Sequence, residues 1–150
     1  MSIRNKVILA ETSTDSPALA ARGGLLFIAW KGSGNDNLNI MFSEDNGHSF
    51  KGKHISREAS DSQPALTVHN EVLFIAWKGS GNDNLNVARV ATSGGPPGNV
   101  SIEGLVEKQT FDETTSTSPS LTSHGGVLFI GWKGSGNDNL NVAAVTGRSI

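Results

Sequence analysis

The decapeptide WKGSGNDNLN occurs three times without a single change, beginning at Trp30, Trp77 and Trp132. Repeats of this length each build one supersecondary unit, and such a unit buries its apolar face only against its neighbours. The similarity extends upstream, through LLFIAW, VLFIAW and VLFIGW, which begin at Leu25, Val72 and Val127. A second shared element comes before each of these: DSPALA at 15–20, SQPALT at 62–67 and TSPSLT at 117–122. Each follows a glutamate, Glu11, Glu58 or Glu113. The tryptophans are 47 and 55 residues apart, and the surplus falls in ATSGGPPGNVSIEG (91–104). That Gly/Pro-rich stretch reads as a longer loop.

Each unit reads as four strands. The first is PALA or its equivalent, followed by a turn such as ARGG (21–24) or SHGG (123–126). The second is the LLFIAW run, whose continuous rather than alternating apolar character predicts cover on both faces. GSGNDN follows, dense in residues that accept left-handed backbone and form Asx turns. The third strand is LNIMFS, LNVARV or LNVAAV; the fourth is GKHISRE (52–58) in the first unit and LVEKQTFDE (105–113) in the second. Four-stranded units of this length, repeated radially, predict an all-β fold: a β-propeller with three antiparallel blades per chain, at about 11–58, 58–113 and 113–150. A solenoid is the rival architecture.

After its third strand the last unit carries only TGRSI (146–150), while KVILAE (6–11) stands where the other units place a fourth strand. Propellers typically have about 4–8 blades, so three do not close a ring. The expectation is a homodimer with six blades, in which residues 6–11 of each chain complete the partner's third blade.

The bulk properties bound the function. A formal charge of −2 gives no reason to expect nucleic acid or an anionic membrane as partner. No apolar run is long enough for membrane insertion, and MSIRNKVILA is too short in apolar character for a signal peptide. Eighteen glycines and 17% charged residues fit a turn-rich β-domain. There is no cysteine, hence no disulfide and no thiolate metal site.

Between the third and fourth strands of the first unit lies SEDNGHSF, with Ser43, Asp45, Gly47, Ser49 and Phe50 in a distinctive spacing. This resembles the Asp-box, the S-x-D-x-G-x-[ST]-[WF] turn of sialidase-type (BNR-like) propellers. The resemblance implies a structural role for the box, away from any active site, and allows the chain to be half of a larger Asp-box propeller. It implies no sialidase activity. Such enzymes need a tyrosine nucleophile, and this chain has no tyrosine. They also grip substrate with an arginine triad, whereas Arg4, Arg22, Arg57, Arg89 and Arg148 occupy non-equivalent unit positions. Asp36, Asp83 and Asp138 recur but lack the nearby second carboxylate that other glycosidases require. A non-catalytic protein without cofactor or metal is expected.

Loops normally diverge faster than strands, and here they do not. One account is a binding site used once per blade, giving a multivalent lectin. Its candidates are Trp30, Lys31, Asn35, Asp36 and Asn37, then Trp77, Lys78, Asn82, Asp83 and Asn84, then Trp132, Lys133, Asn137, Asp138 and Asn139. Trp offers a flat face to a sugar ring and the polar side chains offer hydrogen bonds to hydroxyls. The other account is structural: recent duplication, Trp filling the gap between blades, and a turn chemistry that the hairpin demands. A protein-interaction scaffold is the alternative function. His69 and His124, equivalent by repeat, read as exposed turn residues.

Overall fold

The computed structural model describes residues 1–147 and residue 150, so Arg148 lies outside the described residues. Eleven strands and, among the described residues, no helix form three antiparallel sheets. The first sheet holds β1 (Ala18–Arg22), β2 (Leu25–Lys31), β3 (Asn37–Ser43) and β4 (Lys51–Ala59) in sequence order. The second repeats this order with β5 (Ala65–His69), β6 (Val72–Lys78), β7 (Asn84–Ser93) and β8 (Ser101–Thr114). The third has three strands, β9 (Ser120–His124), β10 (Val127–Lys133) and β11 (Leu140–Val145), with β10 in the middle. Among the described residues, no sheet is closed on itself.

Local chemistry sets the hairpins. The two residues between β5 and β6, Asn70 and Glu71, both have positive φ, 50° and 64°, as do Gly125 and Gly126 between β9 and β10. Paired left-handed residues give the turn whose twist matches the flanking strands. The sheets then stack face to face, with β5 beside both β1 and β9, and β8 beside β4. Leu25, Phe27, Leu38 and Ile40 of the first sheet pack against Leu73, Ile75, Trp77 and Val90 of the second. On its other face the second sheet places Phe74, Leu85 and Val87 against Leu128, Ile130 and Val145 of the third.

Cover on both faces of the central apolar strand therefore holds for β6, where Leu73 through Trp77 are all buried. It does not hold for β2, where Leu26 and Ile28 are half-buried because no sheet lies on that side. Residues 6–11, expected to pair with a second copy, are not paired as a strand in the single chain. Two further expectations change. The stretch 91–104 is not one loop: β7 and β8 run on to Ser93 and Ser101, and only 94–100 connects them. His69 is buried rather than exposed: its Nδ1 meets Ser123 Oγ at 2.7 Å across the gap between the second and third sheets. Its counterpart His124 is exposed.

Candidate functional site: three repeated hairpin loops

Each conserved block spans the end of a second strand, a tight loop and the start of a third strand. In the first sheet, Gly32 N–H donates to Asn37 O at 2.7 Å, and Asp36 N–H donates back to Gly32 O at 3.3 Å. The Asn35 carboxamide oxygen accepts from Asn37 N–H at 3.0 Å, an Asx turn. Asn39 Nδ2 donates to Asn37 O at 2.9 Å. The same bonds recur around Gly79 and Gly134, with Asn82 and Asn137 as the turn acceptors and Asn86 and Asn141 as the donors. The first glycine of the block is required by space: a Cβ on Gly32, Gly79 or Gly134 would stand 2.7, 2.3 or 2.5 Å from that Asn oxygen. The aspartates adopt φ of 62–63°, left-handed backbone that Asp tolerates better than most residues.

Charge pairing completes the loop. Lys31 Nζ reaches Asp36 at 3.0 Å and Thr14 Oγ1 at 2.8 Å; Lys133 reaches Asp138 at 3.2 Å. Lys78 sits between Asp61 at 2.7 Å and Asp83 at 2.8 Å and is nearly buried. Burial, the largest single influence on Lys78, works against its charge, but the hydrogen bonds and fields of Asp61 and Asp83 outweigh it and its pKa is raised. The Asp36 and Asp83 carbonyls also tie the loop to the end of the fourth strand, accepting from Ser60 N–H at 2.9 Å and Thr115 N–H at 3.0 Å.

The candidate residues thus divide. Trp30 and Trp77 are buried, 4% and 1% exposed, and Trp132 is half-buried, so the first two offer no ring face to a ligand. Lys31, Lys78, Lys133 and the aspartates are occupied with one another. Asn84 Nδ2 donates to Phe111 O of β8, while the side chains of Asn37 and Asn139 make no hydrogen bond among the described residues. Asn35, Asn82 and Asn137 are exposed and commit the oxygen of the carboxamide to the turn, while its NH2 makes no hydrogen bond among the described residues. Sequence reading missed one set: Ser33, Ser80 and Ser135. They are exposed, they make no hydrogen bond among the described residues, and nothing in the loop's geometry demands serine there. The available signal was their identity in all three copies.

The SEDNGHSF turn joins β3 to β4. Asp45 accepts from Ser49 Oγ, from Ser49 N–H at 2.9 Å and from Ser43 Oγ at 2.7 Å. These bonds, the Ser49 hydroxyl foremost, hold the Asp45 carboxyl far below the usual carboxylate range. Gly47, at φ 87°, donates its N–H to Ser43 Oγ at 2.9 Å. Phe50 is half-buried and belongs to neither apolar cluster. Beside it, Glu44 is held ionised by Gly98 N–H at 2.7 Å from the tip of the β7–β8 hairpin and by Lys51 at 3.0 Å.

Comparison with protein-family models and with curated proteins returned no match to this chain.

Proposed function

We propose that the chain is a non-catalytic, multivalent carbohydrate-binding module, and that its three sheets are blades of a six-bladed β-propeller completed by a second copy. The observation that carries the binding reading is the exposed loop tip: a serine and an amide NH2 that make no hydrogen bond among the described residues, recurring on all three sheets. The internal bonds that occupy the rest of the loop pre-organise this tip, which lowers the ordering cost of binding a polyhydroxylated ligand. Each tip offers few contacts, and a ring carrying many of them gains by avidity. Recognition in this form uses polar contacts rather than stacking on Trp30 or Trp77.

The propeller reading is supported by the way the sheets stack, first strand beside first strand and fourth beside fourth. A sequence spacing like the Asp-box, together with the Asp45 turn, fits the same reading, with the box serving structure alone.

A glycan array tests the binding claim. The triple variant N35D/N82D/N137D keeps the turn-forming oxygen and removes the NH2. Glycan signal present in the wild-type protein and lost in this variant, with melting temperature unchanged, is the expected result. A folded wild-type protein that binds no glycan overturns the carbohydrate reading in favour of a polypeptide ligand.

A further inference from the structure

The segment before β1 carries the residues that end a fourth strand, and half of their contacts are already made. Aligned on Pro17, Pro64 and Pro119, Ser13 corresponds to Ser60 and Thr115, and Glu11 to Glu58 and Glu113. Ser13 Oγ accepts from Asp15 N–H at 3.1 Å, just as Ser60 Oγ accepts from Ser62 N–H and Thr115 Oγ1 from Thr117 N–H, both at 3.2 Å. Lys53 of β4 pairs with Glu11 at 2.8 Å, and Lys108 of β8 pairs with Glu58 at 2.9 Å. Thus the lysine of each fourth strand meets the glutamate one unit earlier. The next step of that ladder joins Lys6, equivalent to Lys53 and Lys108, to Glu113. Both are exposed, and neither has an ion-pair partner among the described residues.

The receiving side is equally incomplete. Strand β11 is an open edge among the described residues. The Asp138 carbonyl receives no N–H there, unlike the Asp36 and Asp83 carbonyls. Beside β11 opens a groove of about 710 Å³, lined by Phe74, Val87, Arg89, Gln109 and Val145 among others. Leu140 and Val142 stand out from β11 at 88% and 74% exposure. On the outward face of the first sheet, Leu19 is 58% exposed and Ile28 half-buried, whereas their counterparts Leu66 and Ile75 are buried against the neighbouring sheet.

We infer that residues 7–12 of a second copy add to β11 as an antiparallel fourth strand, in a register fixed by the repeat. The two complete sheets pair Asn37 with Ala59, Asn39 with Ile55 and Ile40 with His54, then Asn84 with Thr114, Asn86 with Thr110 and Val87 with Gln109. The third instance places Asn139 opposite Thr12, Asn141 opposite Ile8 and Val142 opposite Val7 of the second copy. Ser13 N–H then reaches the Asp138 carbonyl, Lys6 reaches Glu113, and Leu140 and Val142 pack on the second copy's Leu19 and Ile28. Backbone pairing supplies adhesion, and alternate side chains and the ion pair supply register. This seam rests on the two-chain reading above.

Because the chain has no cysteine, cross-linking reads the register directly. V7C chains mixed with V142C chains are expected to oxidise to a covalent dimer; V7C mixed with A143C, whose side chain leaves the opposite face of β11, is expected to do so far less. The charge variants K6E and E113K should each weaken the two-chain species about tenfold or more, since each carries two like-charge contacts per ring. Mixing them restores both contacts and the wild-type affinity. Cross-linking that favours A143C, or charge variants that a mixture does not rescue, overturns the seam while native mass still reports a two-chain particle. A wild-type particle of one chain overturns the seam and the two-chain reading together.

Discussion

Strands β7 and β11 share the run Leu-Asn-Val-Ala, 85–88 and 140–143, after the same loop, yet it stands in opposite environments. Leu85 and Val87 of β7 are 2% and 4% exposed, while Leu140 and Val142 of β11 are 88% and 74% exposed. The loop bonds before them are the same to within a few tenths of an ångström. Sequence therefore decides the turn and the strand, whereas burial is decided by what the next layer brings. Exposed apolar residues on an open strand edge, such as Leu140 and Val142, favour association.

The comparison breaks most visibly under truncation. Leu85→Ala is expected to lower unfolding stability by about 2–5 kcal/mol, the range for a buried leucine. Leu140→Ala, measured in the dilute single chain, should change it by less than about 0.5 kcal/mol, the usual surface effect, while weakening two-chain assembly. Urea unfolding of both variants at low concentration checks this, and equal losses would mean that β11 is covered within its own chain.

A smaller effect separates the two loop lysines. Lys78→Gln removes a nearly buried ammonium from between the part-exposed Asp61 and Asp83 and should cost about 1–2 kcal/mol, two charge-assisted hydrogen bonds discounted for solvent. Lys133→Gln, at an exposed pair, should cost under about 1 kcal/mol. Because the pKa of Lys78 is raised on folding, its contribution is fully present below the ordinary lysine range and fades as pH rises through the folded value. The alkaline limb of the unfolding midpoint measured against pH should therefore be altered by Lys78→Gln.

The smallest expected effect sharpens the contrast at the β3–β4 turn, which the third sheet lacks among the described residues. The Asp45 pKa is lowered on folding, so its contribution holds above the unfolded aspartate value and is lost as pH falls toward the folded one. Asp45→Asn should flatten the acid limb of the unfolding midpoint measured against pH. An unchanged acid limb would show that the turn is held by its backbone alone.

The parts legible in sequence were those with local causes. The β2–β3, β6–β7 and β10–β11 hairpins were readable because apolar runs and Asx-turn residues act within a few positions of each other. What escaped had non-local causes. His69 looked like a turn residue because the partner that buries it, Ser123, lies 54 positions away. The tryptophans offered one reading as ligand platforms because the burial of Trp30 and Trp77 is invisible in a one-dimensional reading. Ser33, Ser80 and Ser135 gained interest only once their loop neighbours had been assigned structural work.

Native mass measurement of the wild-type protein tests the central claim most directly, namely that the two uncovered ends of this stack are halves of one contact. At micromolar concentration the account predicts a particle of twice 15.7 kDa. A stable particle of 15.7 kDa alone would contradict it.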